Sequence, residues 1–207
     1  MTILDIHTHH ADATQAIINV NPGEFQPSPG TLYSVGIHPW HSEQCDSEAI
    51  ESLNAAAQHP QVVALGETGL DTLRGAPIEQ QTHLLRLHLG LARDVRKPIV
   101  VHCVRAWQPL ITELRKWKSL PCPVAIHGFR GNANVARTLL AEGFYLSYGA
   151  HFNPAALAVT PLDRILLETD EAPVTIEQVV QAVAAALQIP TEQLIAHARC
   201  NAAAFLA

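Results

Sequence analysis

Short apolar runs recur along this chain, and between the later ones apolar residues return every three or four positions. The runs are "TILDIHTH" (2–9), "AIINV" (16–20), "LYSVGI" (32–37), "VVALGE" (62–67), "PIVVH" (98–102), "PVAIH" (123–127), "FYLSY" (144–148) and "RILLETD" (164–170). Each has the length of a strand, and near-continuous apolar character is what strands buried on both faces show. The intervening patterns are helical. Residues 46–58 put Ile50, Leu53 and Ala57 on one face, and residues 77–96, opening on Pro77, align Leu84, Leu85, His88, Leu91, Ala92 and Val95. Residues 106–118 do the same with Trp107, Leu110, Ile111, Leu114 and Trp117. "TIEQ" at 175–178 is a capping-box pattern ahead of Val179, Val180, Val183 and Leu187, and 191–206 carries Leu194, Ile195, Ala198 and Phe205. Strand–helix alternation predicts an α/β fold with a parallel sheet, and eight strands predict a (β/α) barrel.

The front of the chain departs from that rhythm. Six residues separate His9 from Ala16, whereas a parallel crossover takes about a dozen. The expectation is therefore a distorted barrel with a shortened N-terminal region and an antiparallel or hairpin-like element within 16–37. The stretch "NPGEFQPSPG" (21–30) reads as a loop. With no repeat, low-complexity tract or linker, residues 1–207 read as a single domain.

Composition narrows the class. A hydrophobic content of 48% with 15% charged residues fits a globular enzyme. No apolar run reaches the roughly 18 residues of a membrane span, and no basic-then-apolar leader opens the chain. Cys45, Cys103, Cys122 and Cys200 show neither zinc-type pairing nor a disulfide framework, so a cytoplasmic protein is expected, with no membrane and no obligate protein partner. A net charge of −6 excludes a protein that coats nucleic acid non-specifically. It leaves room for a local anion site, because bound divalent ions reverse the sign where they sit.

The chemistry gathers at strand ends. His7 and His9 alternate onto one face of the first run. The runs at 62–67, 98–102, 123–127 and 164–170 end in Glu67, His102, His127 and Asp170. Barrel active sites lie at the C-terminal ends of the strands, and unrelated structural residues have no reason to coincide there. Six donors exceed the three or so of an open catalytic zinc and suit two divalent metals about 3.5–4 Å apart. A modified lysine is a poor bridge here, since Lys97 precedes its strand and Lys116 and Lys118 are the remaining lysines. Glu67 is the better bridge. The assignment is His7, His9, Glu67 and Asp170 to one metal, and Glu67, His102 and His127 to the other. Asp170 is the candidate general base, and Glu67 joins it as a catalytic carboxylate. Arg74, Arg105 and Arg130 each follow a donor strand; singly, each is as readily a solvated surface arginine as a phosphate grip, and as a trio they favour an anionic substrate.

The pieces "DIHTHH", "SVGIHPWH", "LGETGLD", "VVHCVRAW", "IHGFRG" and "LLETDEAP", spread over residues 5–173, resemble in order those of the TatD-type metal-dependent hydrolases and deoxyribonucleases of the amidohydrolase superfamily. The resemblance implies a TIM-like barrel, two divalent ions (zinc, magnesium or manganese) and hydrolysis of phosphodiesters. It implies the same six ligands, and it adds His38 as a pocket residue. Two departures stand out. Arg105 lies three positions after His102 where the family has a basic residue two positions on, and the family's basic segment after the ETD motif is absent. The substrate expected is thus a small phosphoester or a short or single-stranded nucleic acid. A C–N or lactone hydrolase on the same site, and a metal-binding scaffold without catalysis, are the competing readings.

Overall fold

A computed structural model describes residues 2–207. Eight strands form: β1 (Asp5–Thr8), β2 (Ala16–Val20), β3 (Leu32–Val35), β4 (Val62–Asp71), β5 (Ile99–Val104), β6 (Val124–Ile126), β7 (Tyr145–Tyr148) and β8 (Ile165–Leu167). Seven helices accompany them: α1 (Ser47–Ala57), α2 (Ile78–Val95), α3 (Trp107–Arg115), α4 (Ala133–Ala141), α5 (Pro154–Leu157), α6 (Ile176–Leu187) and α7 (Thr191–Phe205). The strands neighbour one another in sequence order as a closed barrel, the TIM-like α/β class expected from the alternation. Helices α4 and α5 were not foreseen; α5 is a single turn, and α4, though as long as α3, buries only Ala136 and Leu139, too few apolar residues to register as a period.

The chain divides into two compact units, one made of its two ends (up to Ile18, and Ala125–Ala207) and one of Asn19–Val124. In the first, β6 pairs with β7, β7 with β8, β8 with β1 and β1 with β2, all in parallel. Ile6, Ile17, Ala125, Ile126, Leu146, Leu166, Val183, Leu194 and Phe205 fill its interior. The capping box opening α6 forms as the sequence implied, with Thr175 Oγ1 accepting from the Gln178 N–H and Gln178 Oε1 from the Thr175 N–H.

The antiparallel element expected within 16–37 does not form, because β2 pairs with β1 and β3 with β4, both in parallel. The register sets Asp5 against Ala16 and Thr8 against Ile18. The chain therefore has to retrace only three residues of strand, about 10 Å, which residues 9–15 span without a helix. Gln15 makes the last turn in the left-handed region (φ 56°), and its carbonyl accepts from the N–H groups of Leu4 and Asp5. The dozen-residue rule applies to crossovers that carry a helix back along a long strand; β1 and β2 are too short to need one.

In the second unit β4 lies between β3 and β5. β4 runs four residues beyond Glu67, with its register against β5 shifted between Leu65 and Thr68. Close approach is built in at two glycines. A Cβ at Gly36 would fall 2.5 Å from the Gly66 carbonyl carbon, and one at Gly69 (φ 148°) 2.0 Å from the His102 carbonyl oxygen. Beneath these strands Val35, Ala57, Val62, Leu65, Leu85, Leu89 and Ile99 are fully buried. His88 is buried with them; its Nε2 accepts from the Ile37 N–H (3.0 Å) and its Nδ1 donates to the Leu84 carbonyl (2.9 Å). Burial pushes its pKa down to about 4, so this imidazole is neutral and structural. Lys97 donates its ammonium to the carbonyls of Ala57 (2.6 Å) and His59 (3.0 Å) just past α1, where a cation meets the negative end of the helix.

Candidate metal centre

In the first unit the donors sit on or just past short strands. His7 alternates inward on β1 and is fully buried, while the His9 side chain is 34% exposed. Asp170 lies three residues beyond β8, tied to β1 by backbone bonds: its N–H donates to the His7 carbonyl (3.0 Å) and its carbonyl accepts from the His9 N–H (3.1 Å). Its left-handed φ of 55° is a conformation an aspartate tolerates better than most residues. Asp170 Oδ1 stands 3.7 Å from Nε2 of both His7 and His9. His127, one residue past β6, packs its ring 4.4 Å from that of His7. His7, His127 and Asp170 each offer a ligand atom within 4.8 Å of the others.

Two buried acids stand behind these donors, and sequence reasoning passed over both. Glu168 is fully buried; its Oε1 accepts from the Gly128 N–H (2.6 Å) and lies 3.4 Å from His127 Nδ1. Burial alone would raise its pKa, but the neighbouring His127 and His7 outweigh that and hold the carboxyl below the usual range. Asp5 accepts from the N–H groups of His7 and Thr169 (each 3.2 Å) and from Thr169 Oγ1 (2.6 Å). Burial wins there and pushes its pKa up to about 7 against those bonds. Alternation gave the available signal: Asp5 shares a face with His7, and Glu168 lies two residues before Asp170. A cavity of about 500 Å³ opens on the Asp5 and Thr169 side, with His10, Asp12, Thr175 and Arg199 among its walls.

The second unit builds its donor set from side-chain bonds. Glu67 Oε1 lies 2.7 Å from His102 Nδ1 and 3.0 Å from His38 Nε2, and these three could together hold an ion. Asn19 Oδ1 accepts from the Glu67 N–H (2.8 Å) and from Ser34 Oγ (3.0 Å), pinning the backbone under the carboxylate. Asp71 Oδ2 stands 3.5 Å from His102 Nε2, the carboxylate-behind-imidazole pairing that orients metal-binding histidines. The same oxygen accepts from the Trp40 indole N–H (2.6 Å), and Oδ1 accepts from the Leu73 N–H (2.7 Å). Burial works against the Asp71 carboxylate, yet the Trp40 and Leu73 donors and neighbouring His102 hold its pKa below the ordinary value. His38 Nδ1 accepts from the Trp40 N–H (3.1 Å), so in its neutral form the ring carries its proton on Nε2, toward Glu67. That makes His38 a donor that steadies Glu67 in this arrangement.

The arginines occupy loops after the donor strands, all three exposed: Arg74 after β4, Arg105 after β5 in a left-handed turn (φ 52°), and Arg130 after β6. Gln81 of α2 fastens the first loop. Its Oε1 accepts from the Asp71 N–H, and its Nε2 donates to the carbonyls of Asp71, Arg74 and Ala76.

Imidazole nitrogens and carboxylate oxygens grouped this closely are the donor chemistry of a divalent transition-metal or magnesium site, so the residues present fit such an ion. The model of TatD related DNases matches residues 23–207. The chain belongs to the TatD related DNase family. His7 and His9 precede the matched span. The chain is 34% identical over 152 residues to the 3'-5' ssDNA/RNA exonuclease TatD of Cronobacter turicensis, covering 68% of this chain and 57% of that one. It is 36% identical over 148 residues to the uncharacterized metal-dependent hydrolase YcfH of Escherichia coli K12, covering 67% and 55%. It thus spans little more than half the length of the curated relatives it matches. The crystal structure of the TatD homologue YJJV from E. coli shares the fold, with a TM-score of 0.85 at 23% identity over 99% of this chain and 97% of that one. An organophosphorus hydrolase from Deinococcus radiodurans shares it more distantly, at a TM-score of 0.63 and 15% identity over 93% and 78%. No single helix among the described residues is long and apolar enough to cross a membrane.

Proposed function

We propose that this chain is a divalent-metal-dependent phosphoester hydrolase acting on small phosphoesters and on short or single-stranded nucleic acid, in the cytoplasm. The observation that carries the reading is the presence of two donor sets, His7, His9, His127 and Asp170 in one unit and Glu67 and His102, with His38 beside them, in the other. Family membership and the relatives named for ssDNA/RNA exonuclease activity support the substrate class. Each set serves one ion of a pair, with zinc, magnesium and manganese the candidates. When bound, the ions supply Lewis acidity toward the phosphoryl oxygens and the attacking water.

The chain's own residues do the rest. The His127 and His102 rings face the carboxylates of Glu168 and Asp71, which keeps their donor nitrogens aimed and lowers the reorganisation needed during reaction, while Asp5 fixes the His7 backbone. Asp170 accepts the proton of the attacking water at a carboxylate oxygen and delivers it toward the leaving group. Glu67, steadied by His38 and Asn19, keeps its carboxylate directed at His102. Arg105 and Arg130 carry positive charge to the phosphate from exposed loops.

The test is turnover by the purified full chain with Mg²⁺, Mn²⁺ or Zn²⁺ against alkyl phosphodiesters, oligonucleotides, amides and lactones. Metal-dependent release of phosphate esters or nucleotides is expected. Turnover of amides or lactones with phosphoesters untouched would overturn the reading.

A further inference from the structure

The surface beside the second donor set carries more than metal binding requires. Trp40 and Leu73 are 39% and 59% exposed, although large apolar side chains are usually covered. Neither hangs loosely. Asp71 holds the indole N–H at 2.6 Å with the oxygen that faces His102, and holds the Leu73 N–H with the other. One carboxylate therefore fixes an exposed aromatic ring and a candidate metal ligand to each other. His38 meets the indole edge-on, with ring centroids 4.7 Å apart. The Arg74 guanidinium lies over the indole, 4.4 Å from its centroid. Its loop is pinned by Gln81 through the Arg74 carbonyl. Among the described residues no carboxylate stands within ion-pair distance of that guanidinium.

We propose that Trp40 and Arg74 form the seat for the nucleotide that flanks the reacting phosphate. A nucleobase stacks on the indole where the guanidinium now rests, and the freed guanidinium pairs with a phosphate. Relative magnitudes favour the exchange. An exposed cation–π contact is worth roughly two- to fivefold in an equilibrium constant, and base–aromatic stacking roughly five- to a hundredfold. The guanidinium meanwhile regains a charge-assisted pair of hydrogen bonds from phosphate. The seat is sequence-tolerant, because every base offers a π-face. It rests on the phosphoester reading above and specifies its substrate as nucleic acid carrying bases, not a bare phosphodiester.

Binding is the readout that separates the two ideas. Labelled, phosphorothioate-linked oligothymidylate and the same backbone made wholly of abasic units are titrated with the metal-loaded full chain, and anisotropy gives each affinity. The wild type should prefer the base-bearing strand by roughly tenfold. Trp40→Ala should lose most of that preference. Trp40→Phe should keep most of it, because the ring remains although the bond to Asp71 is gone. Arg74→Ala should weaken both strands and lower the salt slope by about 0.7. Absence of a wild-type preference, its survival in Trp40→Ala, or equal loss in both Trp40 variants would overturn the seat. A base preference without turnover of ordinary oligonucleotides would sink the hydrolase reading and leave the seat standing; turnover without a preference would do the reverse.

Discussion

The two donor sets are built by different means. In the unit made from the chain ends, the donors lie on or just past strands of three or four residues and are held by backbone, with the Asp170 N–H and carbonyl stitched to the residues around His7 and His9. The acids behind them are buried, Glu168 facing the His127 ring and Asp5 accepting from the His7 backbone N–H. In the middle unit Glu67 and His102 lie inside longer strands and are held by other side chains. The acid that orients His102, Asp71, is buried too, but its bonds lead outward, through Trp40, to an exposed ring and an exposed arginine. A set anchored by backbone and buried acid is suited to staying put. A set linked by side chains to the surface is suited to sensing what sits there. The first should fail through stability and metal loss together, the second through metal affinity and substrate use with the fold intact.

The sharpest way to break this comparison is to empty each set. His127→Ala and His102→Ala should each remove about one divalent ion per chain, read by elemental analysis, and each should lower turnover at least about 100-fold. Full activity in either variant would mean that a single set does the chemistry.

The orienting acids separate the sets at the next level. Glu168→Ala should weaken metal binding about 10- to 100-fold. It should also cost about 1–3 kcal/mol of stability, because the part-buried Gly128 N–H is left without its acceptor. Asp71→Asn should weaken metal binding by a similar factor with a smaller change in the urea midpoint, because the asparagine keeps one acceptor oxygen and the donors it serves belong to the exposed Trp40 and Leu73. Equal stability losses in the two variants would erase the distinction.

Acid should find the middle unit's weak point. The buried His88 binds a proton near pH 6.5 when unfolded but only near pH 4 when folded. Between those values the unfolded chain holds more protons, so stability falls as pH falls, by at most ~1.4 kcal/mol for each unit. Glu113 adds a lower window. The Arg86 hydrogen bonds, with Lys116 nearby, bring its pKa down to about 2, so its contribution is present above about pH 4.5 and is lost toward pH 2. Urea midpoints across this range, with His88→Gln flattening the upper window, check the assignment. A flat wild-type profile from pH 6.5 to 4 would refute it.

The smallest effect concerns the exposed loops. Arg105→Ala and Arg130→Ala should each raise KM for a phosphate-bearing substrate about two- to fivefold with metal content unchanged, a loss of ground-state grip. Unchanged KM in both would make them ordinary surface arginines.

What the sequence determined on its own was the inventory and its rhythm. Strands buried on both faces must be apolar along their length, so the strand runs were legible, and the capping residues of α6 marked its start. Metal-type donors cluster visibly because histidine and carboxylate have few other reasons to end consecutive apolar runs. What the tertiary structure alone decided was company. Whether seven residues can join two parallel strands depends on how short those strands are. That His127 packs on His7 and Glu168 stands behind it depends on β6, β7 and β8 bringing distant positions side by side. That β4 continues past Glu67, placing Asp71 behind His102 and beneath Trp40, depends on a shifted register with β5. Periodicity along a chain reports which face a residue prefers. Orientation of an imidazole, or the seating of an arginine on an indole, is settled by contacts between residues far apart in sequence, where no period reaches.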